Sequence, residues 1–212
     1  ILMIEFARDS MDEILDLKNE MIEAFRKESL GYHFPLVTGD DIKKVWNLRK
    51  AGLGVLSNLH GDAKPVSVIE DTSVNVHLLN DYIKEFNLIL DEHQLECVYH
   101  AHISVGELHL RPILNLKDPD DVKLFHTVAE KTARLVKKFR GSLSGEHGDG
   151  RLRGEFIPIM VGERIYQWFK EIKSVWDPDQ VFNANKIVNT PSMNTHLRYI
   201  PEHRTREIDT IF

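Results

Sequence analysis

A glycine-rich stretch at residues 141–153 carries the side chains with the clearest chemical potential. Its four glycines in thirteen residues oppose both helix and strand, because a glycine loses much backbone entropy on folding and buries no side chain. Within the stretch a carboxylate stands next to an imidazole, Glu146 and His147. A carboxylate can bind a divalent cation, and an imidazole can take up a proton. Taken alone, such a segment is more often a charged surface turn. Whether it forms a functional site therefore depends on further metal-binding or catalytic side chains elsewhere in the chain.

Residues 95–114 supply candidate partners, since their pattern predicts a β-hairpin. Apolar and polar residues alternate in the first half, which places His102 on the polar face. A turn ending at Gly106 is predicted next, because glycine tolerates positive φ. Beyond the turn, leucines share one face, and His109 and Arg111 share the other. The reversal lets His102 and His109 point the same way.

Two hairpin imidazoles and a loop carboxylate make a candidate His/His/Glu ligand set of His102, His109 and Glu146. Such a set suits a borderline divalent ion such as Zn²⁺, Mn²⁺ or Fe²⁺, and three protein ligands leave positions open for substrate. His147, which is not needed as a ligand, would be free to act as a base. Eleven histidines in 212 residues also make chance pairs common, so the spacing by itself favours no special site.

Five different short motifs are distributed along nearly the whole chain. They are Trp46-Asn47-Leu48-Arg49, Ile69-Glu70-Asp71-Thr72-Ser73-Val74, a His102-to-His109 segment ending in Gly-x-Leu-His, Ser144-Gly145-Glu146-His147-Gly148, and Asn183-Ala184-Asn185-Lys186. Together they resemble the C-terminal domain of the FAD-linked oxidase family, which includes D-lactate, glycolate and D-2-hydroxyglutarate dehydrogenases. Strand–helix–strand units predict an α+β fold. The resemblance implies a ferredoxin-like antiparallel sheet with helices packed on one face.

For the organisation of the chain, the resemblance implies a cap and substrate domain at residues 1–193, followed by a polar tail or linker at residues 194–212. No dinucleotide fingerprint or glycine-rich flavin cradle is visible. Most of the FAD site is therefore expected in an N-terminal domain that precedes these residues. The Arg111-Pro112, Gly148-Asp149-Gly150-Arg151 and Leu197-Arg198-Tyr199 segments are similar to a bacterial branch that also carries an iron–sulfur part. An iron–sulfur cluster would lie elsewhere in a longer chain, because a single cysteine cannot hold one.

The resemblance implies hydride transfer from a D-2-hydroxy acid to FAD. A metal ion, Zn²⁺ or Mn²⁺, on the His/His/Glu set would hold the substrate's hydroxyl and carboxylate, and His147 would take the hydroxyl proton. Arg49 and Arg111 are expected to pair with the substrate carboxylate. Asn183 is the expected flavin contact.

Two departures from the family's Gly-Asp-Gly-Asn-Leu-His motif bear on the substrate. Val105 and Glu107 stand where the family has Asp and Asn. An anionic Glu107 would repel an anionic substrate. The expectation is therefore that Glu107 points away, that it binds metal, or that the substrate differs.

The composition excludes some classes of binding partner, and two alternative functions remain open. A net charge of −6 argues against nucleic acid, and no apolar run approaches the roughly 20 residues of a membrane span. The expected partners are a small anionic 2-hydroxy acid and the FAD-binding domain of the same longer chain. A cytoplasmic location is predicted, with peripheral contact to the inner membrane through an electron acceptor left open. A metal-dependent hydrolase, and a domain that is non-catalytic when isolated, are the alternatives.

The secondary-structure predictions follow the same periodicities. Helices are predicted from Ser10, from residues 38–41, over residues 78–90, from Asp118 and over residues 163–176, and strands at residues 1–6 and 66–69 besides the hairpin. Residues 52–61 are predicted to form a glycine-spaced loop. Glu70 and Asp71 are predicted to precede a helix as partners of its dipole.

Overall fold

The computed structural model describes residues 1–201, apart from the side chains of residues 53, 56 and 57. The chain divides into two compact units, residues 1–51 and the residues from 52 onward. The predicted division into a domain at 1–193 and a tail at 194–212 stays a prediction. Residues 202–212 of that tail lie outside the described residues.

The first unit is helical. Helix α1 spans Met11–Lys27, and its N-cap Ser10 accepts a hydrogen bond from the Glu13 amide at 3.3 Å, as its capping-box sequence predicts. The predicted strand at residues 1–6 is wrong, because residues 1–51 contain no strand with which its backbone could pair.

Helix α2 spans Asp41–Ser57. It runs through Gly52 and Gly54, so the loop predicted at residues 52–61 begins only after Ser57. Each glycine costs a helix roughly 1 kcal/mol relative to alanine. A glycine still provides the backbone N–H and C=O groups that form the helical hydrogen bonds, so α2 continues through both positions.

The second unit contains a small sheet centred on one strand. Its elements are β1 (Lys64–Pro65), β2 (Ile69–Ser73), helix α3 (Leu79–Glu92), β3 (Cys97–His102), β4 (Glu107–Leu114), and helices α4 (Pro119–Lys138), α5 (Ile157–Val161) and α6 (Glu163–Trp176). Strands β1, β2 and β3 all pair antiparallel with β4. Because β2 and β3 pair with the same part of β4, they lie on its opposite edges.

The order of these elements confirms the predicted α+β fold. Strand β2, helix α3, the β3–β4 hairpin and helix α4 follow one another, and Ser142 then forms an isolated antiparallel bridge with Ser73 of β2. This is the ferredoxin-like succession of strands and helices, with the last strand reduced to a single bridge. The bridge brings the glycine-rich stretch to the sheet directly after α4.

The apolar face of the hairpin packs against α3 and α4. The buried side chains of this core come from β4 (Leu108, Leu110, Leu114), from α3 (Tyr82, Phe86, Leu90) and from α4 (Phe125, Val128, Ala133, Val136). Burying one such side chain fully stabilises the fold by about 1.5–3 kcal/mol. With its apolar face covered in this way, the sheet presents the histidine-bearing face on its other side.

Strand β2 starts later than predicted. The prediction places a strand at residues 66–69, whereas the ladder runs over Ile69–Ser73 and therefore includes Glu70 and Asp71. The two acidic residues are not partners of a helix dipole. A short 3-10 helix, Val76–Leu78, precedes α3, and its cap is Asn75, whose side chain accepts a hydrogen bond from the His77 amide at 3.0 Å.

Gly106 in the hairpin turn generates a stability prediction. Its φ is 72°, and a Cβ added there would lie 1.9 Å from the Val74 carbonyl oxygen. Gly150 is the control, because its φ is also positive, at 55°, but an added Cβ meets no atom within 4 Å. We expect Gly106→Ala to lower the free energy of unfolding by at least about 1–3 kcal/mol and by more than Gly150→Ala does. Urea denaturation of both variants measures this, and equal losses would contradict it.

Candidate metal centre

The hairpin brings the predicted histidines together. In the β3–β4 pairing, His100 lies opposite His109 and His102 lies opposite Glu107. The rings of His102 and His109 are 5.2 Å apart and nearly perpendicular. His109 is almost fully buried, whereas His102 is exposed at the end of β3. One imidazole is thus fixed by packing and the other is open to solvent.

The glycine-rich loop adds the carboxylate. Glu146 Oε1 lies 3.8 Å from His102 Nε2 and 3.4 Å from His109 Nε2. Ligand atoms around a tetrahedral ion with bonds of about 2.1 Å are about 3.4 Å apart, so these separations suit a common ion. A second group, Asp71 with Glu146 and His147, also has ligand atoms within 4.8 Å of one another. Both oxygens of Asp71 already accept hydrogen bonds, however, which leaves the two histidines and Glu146 as the better ligand set.

The tautomer of His109 fits metal binding. Its Nδ1 lies 2.5 Å from the backbone carbonyl oxygen of Glu70. A carbonyl can only accept, so Nδ1 carries the hydrogen and Nε2 presents its lone pair toward Glu146. A ligating histidine is typically held in this way, by a hydrogen bond from its other ring nitrogen.

His147 stands beside the cluster without being needed in it. Its Nε2 is 3.2 Å from Glu146 Oε1, and its ring stacks on that of His109 with centroids 5.7 Å apart. The side chain is 45% exposed. The imidazole is therefore accessible to a small molecule that binds at the cluster, as a proton acceptor must be.

An irregularity in β2 places two acidic residues at this face. Ile69 pairs with Leu110 and Thr72 with Leu108, so Glu70 and Asp71 together oppose the single residue His109. Strict alternation would send two consecutive side chains to opposite faces. The bulge re-aims them. Sequence reasoning missed Asp71 as a site residue, and the signal that could have found it is its place within the family motif.

The predicted substrate and flavin residues lie in separate places. Arg111 is on the same strand as His109, and its Nη2 pairs with Glu70 Oε2 at 2.7 Å in a partly buried ion pair. Arg49 belongs to the first unit, where its guanidinium lies 5.9 Å from the Trp46 ring centroid. Asn183 lies in an exposed turn after α6, with a φ of 54°. The assignments of all three stay predictions.

Glu107 does not join the candidate metal ligands. Its side chain is buried against the backbone of Gly145. A Cβ added to Gly145 would lie only 1.7 Å from Glu107 Oε2, so the carboxyl group fills the space that a larger residue at position 145 would need. Of the three alternatives for this residue, the structure favours the first. Glu107 is turned away from solvent and toward Asp71.

Glu107 and Asp71 share one negative charge. Burial raises the pKa of Glu107 to about 8, and its hydrogen bond to Asp71 and the charges of Asp71 and Glu146 act in the same direction. At Asp71, burial acts to raise the pKa, but hydrogen bonds from Ser144, the Glu146 amide and Glu107 hold the pKa below its usual range. Near neutral pH the proton therefore lies on Glu107. The repulsion of an anionic substrate expected from the sequence is correspondingly reduced.

Comparison with known protein families shows the family to which the chain belongs. The profile of a family described as FAD linked oxidases, C-terminal domain, matches residues 1–187. The chain belongs to this family. The resemblance predicted from the five motifs is thereby confirmed, while the predicted iron–sulfur part stays a prediction.

Relatives of this FAD-linked oxidase C-terminal domain include named dehydrogenases. A D-2-hydroxyglutarate dehydrogenase of Haemophilus influenzae is 34% identical over 194 residues, covering 87% of this chain and 18% of the relative. The protein of the same name from Escherichia coli is 33% identical over 192 residues, covering 87% and 19%. A glycolate oxidase subunit GlcD of Bacillus subtilis is 22% identical over 187 residues, covering 88% and 39%. The chain thus spans less than a fifth of the length of these two dehydrogenases.

The raised pKa of Glu107 predicts a specific pH dependence of stability. Because the folded protein keeps this proton to about pH 8, whereas an unfolded glutamate releases it near its ordinary value of 4.5, stability is lost as pH rises through that window. Glu107→Gln stays neutral and should remove this loss. We expect the variant's free energy of unfolding, relative to wild type, to improve steadily between about pH 5 and pH 8. Denaturant titrations across that range measure the difference, and parallel pH profiles would show that Glu107 is ionised.

Proposed function

We propose that this domain forms the substrate side of an FAD-dependent enzyme that oxidises a D-2-hydroxy acid by hydride transfer. The observation that carries the proposal is the convergence of His102, His109 and Glu146 beside an accessible His147. Family membership supports the same reaction class. It also favours an oxidoreductase over the metal-dependent hydrolase that the same ligand set could serve.

A divalent ion, Zn²⁺ or Mn²⁺, would be held by His102, His109 and Glu146. The fit rests on the spacing of their ligand atoms and on the Glu70 carbonyl, which leaves His109 Nε2 free to bind. When bound, such an ion supplies Lewis acidity that favours loss of the substrate's hydroxyl proton. Nitrogen and carboxylate ligands suit both metals.

The residues of the chain would handle the proton and the substrate's charge. His147 takes the hydroxyl proton of the 2-hydroxy acid, while the C2 hydrogen leaves with its two electrons and the C–O bond becomes a carbonyl. FAD, when bound, supplies the hydride acceptor. Arg111, two residues from His109 and about 7 Å along the strand, adds a cation on the same face for a substrate carboxylate. Its partner Glu70 holds the guanidinium in place.

Relatives of the chain favour a dicarboxylic substrate. The relatives with 33–36% identity are named D-2-hydroxyglutarate dehydrogenases, whereas the more distant ones are named for glycolate or lactate. We propose a D-2-hydroxyglutarate-like acid as the substrate. Arg49 remains a further expected carboxylate ligand and Asn183 an expected flavin contact.

The partner of this domain would be the flavin-binding part of the same longer chain. We expect the 212 residues alone to show no turnover, because the sequence carries no flavin cradle. Within residues 1–201, no helix combines the length and apolar character that crossing a membrane requires. The cytoplasmic location and the iron–sulfur cluster elsewhere in the chain stay predictions.

Two substitutions separate metal binding from proton removal in the complete flavoprotein. Glu146→Gln replaces an anionic ligand by a neutral one, and we expect its metal affinity to fall by at least about 100-fold. His147→Asn should keep the metal but slow FAD reduction by roughly 10²–10⁴-fold, the usual contribution of a general base.

Metal titration and stopped-flow bleaching of the flavin by D-2-hydroxyglutarate measure the two effects. Glu171→Gln, at an exposed position on α6, is the control and should change neither quantity. Normal flavin reduction in His147→Asn would remove this histidine as the base. Unchanged metal content in Glu146→Gln would remove the proposed ligand set.

A further inference from the structure

Asp71 lies beneath the loop that carries Glu146 and His147. Its side chain is completely buried, which is costly for a carboxylate unless hydrogen bonds and a counter-charge compensate. Besides the protonated Glu107 carboxyl, four donors surround it: the Glu146 amide at 3.0 Å from Oδ1, and the His147 amide at 3.0 Å, Arg153 Nη2 at 3.3 Å and the Ser144 hydroxyl, all to Oδ2. Three of these donors belong to the segment that bears the candidate ligand and base.

The backbone continues the same attachment. The Gly145 amide donates to the Asp71 carbonyl at 2.7 Å, and Ser73 and Ser142 exchange hydrogen bonds of 2.9 and 2.8 Å. The loop is thereby held against β2 from residue 142 to residue 147. Gly145 can approach this closely because it has no Cβ to collide with Glu107.

Arg153 holds the end of the loop that follows His147. Its guanidinium is nearly buried, and Nη2 donates both to Asp71 and to the Gly148 carbonyl, the latter at 2.6 Å. The buried carboxylate thus has a cationic partner that also grips the loop just after His147. Asp71 is the common acceptor for both ends of this turn.

We infer that Asp71 is a positioning residue, whose carboxylate fixes the backbone of Glu146 and His147 so that both side chains meet the hairpin histidines. The inference rests on the proposed function, which gives that cluster its role. The neighbouring Glu70 carbonyl orients His109 from the same bulge. One short irregular piece of β2 therefore aligns ligands from both the hairpin and the loop.

The specific requirement is for two acceptor oxygens. Oδ1 and Oδ2 each receive a backbone N–H, so an asparagine at this position would turn its NH₂ group toward one of those donors in either orientation. Asp71→Asn preserves the volume of the side chain while breaking one of the two amide contacts. The variant therefore tests positioning with little change in packing.

Asp177 provides a matched control. It too is buried, and it accepts the amides of Val181 at 2.8 Å and Phe182 at 3.1 Å together with Lys173 Nζ at 2.5 Å. This aspartate holds a loop by the same kind of bonds, but none of its partners belongs to the histidine cluster. Asp71→Asn and Asp177→Asn should therefore both reduce loop stability, whereas only Asp71→Asn should weaken metal binding.

The experiment titrates Zn²⁺ into metal-free complete flavoprotein and measures affinity in the folded fraction, with thermal unfolding recorded alongside. We expect Asp71→Asn and Asp177→Asn both to lower the unfolding temperature. Only Asp71→Asn should also weaken Zn²⁺ binding, by about 10–100-fold. Excess Zn²⁺ should then partly restore flavin reduction in that variant.

Four results would count against the inference. Wild-type Zn²⁺ affinity in Asp71→Asn, or an equal loss in Asp177→Asn, would reduce Asp71 to a structural role while leaving the proposed metal centre intact. A wild-type protein that binds no Zn²⁺ or Mn²⁺ would remove the metal centre itself. If Asp71→Asn does not fold, Ser144→Ala removes one donor instead. It should weaken Zn²⁺ binding by up to about tenfold, and unchanged affinity there would also overturn the inference.

Discussion

Glu70 and Asp71 of β2 both oppose His109 of β4, because one extra residue interrupts the ladder between Ile69 and Thr72. In a regular antiparallel pair one of the two acidic side chains would enter the apolar core. The bulge instead lets Glu70 reach Arg111 and lets Asp71 support the glycine-rich loop. The same segment offers its Glu70 carbonyl to His109. The positions of the candidate ligands therefore depend on this local mismatch between two strands.

The sheet separates the stabilising and the chemical parts of the domain by face. Apolar residues of β4 pack into the helices, and that packing keeps the strand rigid behind His109. A ligand carried on a strand is held more closely than one on a free loop. Glu146 comes from a loop, but its backbone is bonded to β2 and so shares much of that rigidity. The exposed residues, His102 and His147, are left at the edge where a substrate could enter.

Asp71, Glu107 and Glu146 lie close together at this face, which raises an electrostatic problem. Asp71, Glu107 and Glu146 would repel one another if all were ionised. Burial keeps the proton on Glu107, and Arg153 compensates the charge of Asp71. Glu146 is left as the anion that is free to meet a cation. Glu107 is thus accommodated inside the fold, with Gly145 leaving the room that its side chain needs.

Local periodicity was sufficient to predict much of this domain. Helix α6 has the predicted bounds, the Asp118 cap opens α4, and the hairpin faces are as the alternation indicates, because each depends on residues close in sequence. The hairpin alternation and the glycine-rich loop also predict that His102, His109 and Glu146 lie together, as they do.

Pairing between distant segments decided the rest. Strand β2 is displaced from its predicted position, and the role of Asp71 arises only because β2 meets both β4 and the loop after α4. The register of a strand, and any bulge in it, is set by the neighbour with which it pairs. The sequence by itself therefore determined which side chains could do the chemistry and which faces carry them. Only the tertiary structure decided how those side chains are held, since hydrogen bonds between residues more than seventy positions apart leave no local pattern.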